Sequence, residues 1–168
     1  MRTKYIILSI IFFCFAHGQI VNTVAGSGNA SWQNGTGTNA SFNRPQGIDV
    51  DASGNIYVAD FYNNRIRKIT PSGEVTTLAG SSYGYQDGSG AEARFRYPSD
   101  VAVDLLGNVY VADSYNHRIR KINSMGIVTT IAGSGSGGFT DGLGTSARFN
   151  RPSGIAIDAS GIIYVADR

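Results

Sequence analysis

The stretch GNIYVADFYNNRIRKI occupies residues 54–69, and it returns as GNVYVADSYNHRIRKI at residues 107–122. Its opening half returns a third time, as GIIYVAD, at residues 161–167. The aspartates that end the three YVAD segments stand 53 and 54 residues apart. Self-similarity at a fixed period of this length indicates a repeat architecture, in which each repeat is one supersecondary unit.

Each repeat contains short segments rich in β-branched residues, separated by Gly, Asn, Asp and Pro, the residues that form turns. No segment shows the helical spacing of apolar residues. In the first repeat the predicted strands are 48–51, 56–60, 65–70 and 74–79. Four short antiparallel strands per period predict an all-β fold, a β-propeller of four-stranded blades.

The predicted propeller is incomplete. Repeats at about 21–74, 75–127 and 128–168 provide about two and a half blades, and Val21–Ala25 is an isolated N-terminal strand that would close the last blade of a ring. Closure needs about four to eight blades. We therefore expect residues 19–168 to be a propeller fragment from a truncated reading frame, or a short natural chain that self-associates. Apolar blade faces without a neighbour predict a marginally stable or oligomeric protein.

The first 18 residues are typical of a secretory signal peptide. Arg2 and Lys4 precede an apolar run at 5–15, and Ala16 and Gly18 are the small residues that a signal peptidase reads. The run is shorter than the about 20 residues of a membrane span. An uncleaved anchor and a lipid attached at Cys14 are the alternatives. We expect a secreted or cell-surface protein, or a periplasmic one in a bacterium, with no membrane span after cleavage.

Composition argues against several kinds of site. The chain has 14 Lys and Arg residues and 12 Asp and Glu residues, and loss of Arg2 and Lys4 with the signal peptide makes the two totals equal. A neutral chain does not indicate a nucleic-acid partner. Loss of Cys14 and His17 leaves His117 as the one His or Cys, so neither a zinc site nor a Cys nucleophile is expected. No metal, cofactor or catalytic residue is predicted.

Charged residues that recur in every repeat are interpreted first as structural. Asp60, Asp113 and Asp167 end a strand and are expected to cap the following turn. Asp51, Asp104 and Asp158 precede glycine turns and lack the further acidic ligands of a calcium loop. The basic segments 65–68 and 118–121 are expected to form a solvated strand face, and a surface for anionic polymers is the functional alternative.

Three motifs carry a family resemblance: Pro45-x-Gly-Ile-x-Val-Asp, GNIYVAD at 54–60 and NNRIRKI at 63–69. The second repeat has Asn116-His117-Arg118-Ile119 at the last of these positions. The sequence resembles the NHL repeat family over essentially all of residues 21–168. The resemblance implies a propeller whose loops before each proline lie at the mouth of the central channel. The period is longer than the about 40–45 residues of related blades, because the loops 27–43, 81–96 and 134–150 are extended.

Positions that differ between repeats are the candidates for function. Asp49 stands where the other repeats have alanine, Asp100 where they have glycine, and Tyr97 where they have Arg44 and Arg151. Loops carried on a rigid frame commonly bind ligands. The predicted ligand-binding patch is therefore Arg44, Asp49, Tyr97, Asp100 and Arg151.

The resemblance leaves three functions open. The first is an extracellular, non-catalytic module that binds a protein, a peptide or a carbohydrate. The second is part of a propeller enzyme, similar to the metal-dependent lactonases or to the lyase that completes peptide amidation, whose active site would need further blades. The third is a structural spacer without a ligand.

Overall fold

The computed structural model describes residues 20–168, which form antiparallel sheets and no α-helix. The predicted signal peptide at 1–18 lies outside the described residues. Within residues 20–168, no helix is long and apolar enough to cross a membrane. The sheets are arranged as consecutive blades that do not close into a ring. The prediction of an all-β, incomplete propeller is confirmed.

Two blades have five strands each, and a third is represented by two strands. Blade 1 consists of β1 (Gly35–Thr36), β2 (Pro45–Val50), β3 (Ile56–Asp60), β4 (Arg65–Ile69) and β5 (Glu74–Ala79), in the spatial order β1-β5-β4-β3-β2. Blade 2 consists of β6 (Gly88–Ser89), β7 (Pro98–Val103), β8 (Val109–Asp113), β9 (Arg118–Ile122) and β10 (Ile127–Ala132), in the equivalent order. Blade 3 contains β11 (Gly154–Ile157) paired with β12 (Ile163–Ala166).

Two details differ from the sequence prediction. Residues 21–25, predicted as an isolated strand, form no strand, since they pair with no strand of the described chain. Ala25 instead packs against the apolar cluster of blade 1. The sequence pattern does not predict β1 and β6, because two-residue strands that contain glycine carry no periodicity. Each forms where the loop before a blade folds back along that blade's outer strand, so that Gly35 pairs with Val75.

Apolar side chains fill the space between adjacent blades. Ala59 and Ile66 of blade 1 share one buried cluster with Val101, Val109 and Val111 of blade 2. A second cluster joins blade 2 to blade 3 in the same way. Because each blade buries its faces against its neighbours, the stability of one blade depends on the presence of the next.

The first turn of each repeat is held by its aspartate. Asp104 Oδ1 accepts hydrogen bonds from the backbone N–H groups of Leu106 and Asn108, at 2.9 and 2.8 Å. Its Oδ2 accepts from the Asn108 amide and from the Tyr110 hydroxyl, at 2.7 and 3.1 Å. Burial opposes ionisation, but these four donors together hold the pKa of Asp104 below its usual value. Asp51 makes the same four bonds, and Asp158 makes three of them and accepts from the Ser160 hydroxyl instead of an amide, so these carboxylates belong to turns.

Each complete blade contains a buried ion pair, which corrects two sequence interpretations. Arg67 bonds Asp60 at 2.9 Å and Arg120 bonds Asp113 at 2.7 Å, and all four side chains are fully buried. These arginines therefore do not belong to a solvated strand face. The aspartates do accept a hydrogen bond from an asparagine of the following turn, but their charge is paired with an arginine on the adjacent strand.

The extended loop before each blade covers these arginines. Arg67 donates to the carbonyls of Gln33 and Ser41, and Arg120 donates to those of Gln86 and Arg94. A strand pattern alone does not show that a loop from earlier in the chain crosses the strand face. The buried guanidinium thus ties the loop to the sheet and satisfies carbonyl groups that the loop would otherwise leave unpaired.

The two blades differ at one partner of this guanidinium, and the difference predicts a stabilising substitution. Arg120 also bonds the Asp87 carboxylate through Nε and Nη2, whereas Arg67 meets the neutral Asn34 amide through Nη2 and its buried Nε has no partner in the described chain. Asn34→Asp should raise the free energy of unfolding by about 1 kcal/mol, since it adds a partly exposed charge-assisted hydrogen bond. Chemical denaturation measures the change.

The matched control is Asn39→Asp, which makes the same change of charge at an exposed position of the same loop. Its effect should stay within about 0.5 kcal/mol. Equal effects of the two substitutions would show that the arrangement in blade 2 does not transfer to blade 1.

Candidate functional site

One end of the blades carries the loop before each proline. Pro45 pairs with Asp60 and Asp60 with Arg65, so the start of β2 and the turn between β3 and β4 lie together. Pro98 and Asp113 are placed in the same way in blade 2. We call this side of the molecule the proline end.

Aromatic and arginine side chains form a continuous row across the proline end. The row consists of Arg44, Tyr62, Tyr97, Tyr115 and Arg151, and we call it the tyrosine–arginine row. Successive members lie 5.0, 5.7, 5.0 and 4.7 Å apart, measured between ring centroids and guanidinium carbons. It therefore runs from blade 1 to blade 3 without a gap.

Tyr97 is the centre of this row. Besides Tyr62 and Tyr115, its ring contacts Phe61 in a stacked arrangement at 5.1 Å and Tyr83 edge-on at 5.5 Å. Aromatic pairs at such distances contribute about 0.5–1.5 kcal/mol to stability beyond their burial, so contacts within the cluster fix the positions of its rings. Tyr62 and Tyr83 nevertheless remain 43% and 49% exposed, and they present an aromatic surface to solvent.

The backbone of the row is strained. Arg44, Tyr97 and Arg151 have φ angles of 48°, 51° and 58°, in the left-handed region. For a residue with a Cβ this conformation costs about 1–2 kcal/mol. Strain of this kind persists where the surrounding structure fixes it, and it clusters at binding and catalytic sites.

Side chains from the preceding blade hold two of these strained residues. The backbone N–H of Tyr97 donates to Asn64 Oδ1 at 2.9 Å, and that of Arg151 donates to His117 Nδ1 at 3.2 Å. His117, in the segment Asn116-His117-Arg118, therefore has a structural contact between blades.

The two aspartates of the predicted patch lie between blades. Asp49 Oδ2 accepts a hydrogen bond from the Val103 N–H of blade 2 at 2.7 Å. Asp100 Oδ2 accepts one from the Ile155 N–H of blade 3 at 2.9 Å. Both carboxylates thus satisfy N–H groups on the inner strand of the next blade. The structure brings Arg44, Tyr97 and Arg151 into one row and places Asp49 and Asp100 as braces of the inner strands.

The two arginines of the row form no ion pair. Among residues 20–168, ion pairs form only within the sets Arg67–Asp60 and Asp87–Arg120–Asp113, so neither Arg44 nor Arg151 has a carboxylate partner there. Arg44 donates one side-chain hydrogen bond, to the Tyr62 hydroxyl at 3.2 Å. Both arginines are exposed. Their remaining N–H groups face solvent and are available to a ligand.

The end of the blades opposite the proline end has fewer polar groups available to a ligand. A cleft of about 280 Å³ lies there between the turns 50–53 and 103–107. Its carboxylates, Asp51 and Asp104, are engaged in their own turns, and Leu105 and Leu106 beside it are each 81% exposed. Within the described chain, no three His, Cys, Asp or Glu side chains converge as metal ligands. The tyrosine–arginine row is therefore the candidate site.

Sequence reasoning missed the aromatic members of the row. Tyr62 and Tyr115 occupy equivalent positions two residues after the repeated aspartate, inside a segment interpreted only as a turn. The signal that could have identified them is a contact: this tyrosine of one repeat touches the residue before the proline of the next repeat. Recognising that contact requires knowledge of how two strand ends in adjacent blades are placed relative to each other.

A family model described as NHL repeat matches the chain three times, at residues 42–69, 95–122 and 149–168. The Arabidopsis thaliana protein SUPPRESSOR OF QUENCHING 1, chloroplastic, is 34% identical over 161 residues, which are 88% of this chain. The chain spans 15% of that relative's length.

Solved structures of Bacteroides thetaiotaomicron proteins share the fold. A protein of unknown function is 30% identical with a TM-score of 0.69, over 84% of this chain and 36% of its own. A protein described as an auxiliary nutrient binding protein is 27% identical with a TM-score of 0.65, over 72% of this chain and 34% of its own. Both similarities extend over more than one blade.

Proposed function

Because this chain belongs to the NHL repeat family, we propose that it is a non-catalytic binding module that acts outside the cell and holds its ligand on the tyrosine–arginine row. The family fold is a frame for many activities, so the function has to be argued from the site. The extracellular location rests on the signal-peptide pattern at residues 1–18.

One observation carries the proposal: a run of three tyrosines, of which Tyr62 is exposed and Tyr97 and Tyr115 are half-buried, ends in two exposed arginines that have no carboxylate partner in the described chain. Tyrosine and arginine are the residues most enriched at the energetic centres of binding surfaces. The strained backbone of Arg44, Tyr97 and Arg151 adds support, since the fold sustains three unfavourable conformations to present these side chains. A structural neighbour described as a nutrient binding protein also has a binding role.

Replacing Tyr97 with asparagine tests the proposal, because asparagine tolerates the left-handed backbone conformation of this position and removes the ring without changing the charge. The protein is titrated with four immobilised probes: an acidic peptide, a neutral peptide, an anionic oligosaccharide and a neutral oligosaccharide. We expect at least one probe to bind, and Tyr97→Asn to weaken that binding about tenfold, as loss of one hot-spot aromatic does.

The control is Tyr164→Asn, the same chemical change at an exposed tyrosine of blade 3. It should leave binding unchanged. Absence of binding to every probe, or equal binding by Tyr97→Asn and the unaltered protein, would contradict a binding role for the row. Conversion of a probe into product would favour the enzymatic alternative.

A further inference from the structure

We infer that the ligand of the tyrosine–arginine row is an acidic polypeptide segment, bound in an extended conformation with one carboxylate on Arg44 and another on Arg151. This inference rests on the proposed binding function and adds the chemical class of the ligand.

Charge complementarity is the first argument. Around the row, Arg65, Arg96 and Arg118 add to the positive charge of Arg44 and Arg151, whereas Asp60 and Asp113 at the same end are fully buried against arginine. Asp167 is exposed at this end, and both of its oxygens accept a hydrogen bond from the Asn150 backbone N–H. The exposed acidic turns lie at the opposite end of the blades, around Asp51, Asp104 and Asp158. The proline end thus carries five arginines in or near the row and one exposed carboxylate, Asp167. A ligand with negative charge is attracted to the proline end.

The geometry of the arginines favours carboxylates. A guanidinium presents its N–H donors in a planar fork that matches the two oxygens of a carboxylate. Arg44 uses one donor on Tyr62, and the Arg151 guanidinium lies over the Tyr115 ring at 4.7 Å, which holds it at the surface. Both groups are therefore held in place and still have donors free.

The arrangement of the rings favours a peptide over a sugar. Guanidinium groups lie over the faces of Tyr62 and Tyr115, and Phe61 stacks on Tyr97 at an interplanar angle of 22°. A sugar ring that stacks on an aromatic platform needs an uncovered face. Ring edges and hydroxyl groups suit a polypeptide, whose backbone and side chains supply both apolar contacts and hydrogen-bond partners.

The length of the row fits a short extended segment. The four steps between its members are each 4.7–5.7 Å. An extended chain advances about 3.5 Å per residue, so about six residues follow the row from one guanidinium to the other. The ligand class is thus a segment with acidic residues at both ends of a stretch of this length.

The test compares three probes of matched length by isothermal titration calorimetry at low ionic strength: a blocked hexaglutamate peptide, a blocked hexaglutamine peptide and a hexamer of galacturonic acid. Hexaglutamate should bind at least about tenfold more tightly than either other probe, a difference of about 1.4 kcal/mol. Added salt should weaken this binding, because the charges are exposed.

Two double variants locate the contact. Arg44→Ala with Arg151→Ala should weaken hexaglutamate binding about tenfold or more, since both carboxylate contacts are lost. Lys68→Ala with Lys121→Ala removes the same charge from partly exposed positions on β4 and β9, away from the row, and should change binding less than about twofold.

The possible failures are distinguishable. Equal or tighter binding of the galacturonate hexamer, with the same dependence on Arg44 and Arg151, would overturn the peptide ligand and leave the binding function standing. Equal binding of hexaglutamine would overturn the role of carboxylates. Equal binding by the two double variants would place the peptide elsewhere, and failure of every probe would count against the binding function itself.

Discussion

Replacing Arg120 with methionine is expected to lower the free energy of unfolding by about 3–5 kcal/mol, because the substitution leaves a buried carboxylate without its counter-charge. Arg120 bonds Asp113 at 2.7 Å, and both side chains are fully buried. It also bonds Asp87 and the carbonyls of Gln86 and Arg94. Methionine fills much of the same volume but satisfies none of these groups.

Equilibrium denaturation followed by circular dichroism measures this loss. Burial raises the pKa of Asp113 to about 6, although Arg120, Asn116 and the Arg96 N–H favour the ionised form. The experiment is therefore run at about pH 8, where the Asp113 carboxyl is ionised and the ion pair is complete.

Arg118→Met is the matched control for this experiment. Arg118 lies on the same strand, is partly exposed, and donates to two backbone carbonyls. Its replacement should cost about 1 kcal/mol. A loss in Arg120→Met no larger than in this control would show that the buried pair does not fasten the loop to the blade. Adding Asp113→Leu to Arg120→Met should restore part of the stability, since the unpaired charge is then gone.

Gly47→Ala is expected to lower the free energy of unfolding by about 3 kcal/mol, because blades 1 and 2 approach too closely there for a methyl group. A Cβ on Gly47 would overlap the Cα and the carboxylate of Asp100 on the inner strand of blade 2. The Asp100 carboxylate braces blade 3 through the Ile155 N–H, so a shift of Asp100 disturbs two contacts between blades. Thermal and chemical unfolding both report the effect.

The repeat supplies the control for this substitution. Gly154 is the equivalent residue of blade 3, and a Cβ there would meet the Ala166 Cβ at 3.4 Å and Asp100 Oδ2 at 3.7 Å, which are ordinary contacts. Gly154→Ala should leave stability unchanged or raise it by about 0.5 kcal/mol, because alanine is less flexible than glycine in the unfolded chain. Similar losses in both variants would rule out the close approach at Gly47 as the cause.

Much of the fold can be predicted from the sequence because its signals are local. The repeated YVAD and RIRKI segments correspond to β3, β4, β8 and β9 within one residue of the predicted bounds. The glycine turns that follow Asp51 and Asp104 form as their residue types indicate. Signals of this kind depend on residues within a few positions of one another, which a single sequence displays.

The features that escape prediction depend on contacts between distant segments. The buried state of Arg67 and Arg120 requires the preceding loop to cross the strand face, about 30 residues away in sequence. The role of Asp49 and Asp100 can be recognised only when the inner strand of the next blade is in place, because their carboxylates accept hydrogen bonds from its N–H groups. Comparison of the repeats identified Arg44, Tyr97 and Arg151, because the residue at this position differs between repeats. Tyr62 and Tyr115 are the same residue at equivalent turn positions, so a comparison of repeats does not identify them.

Four of the hydrogen bonds that cross between blades have a consequence for the order of folding. Asn64 and Asp49 accept bonds from residues 33 and 54 positions later, and His117 and Asp100 accept from residues 34 and 55 positions later. In each case the acceptor precedes the donor, so during synthesis the accepting side chain leaves the ribosome first. Domains generally fold as units from the N-terminus during synthesis. Each new blade of this chain therefore meets acceptors already fixed in its predecessor, and the direction of assembly follows the direction of translation.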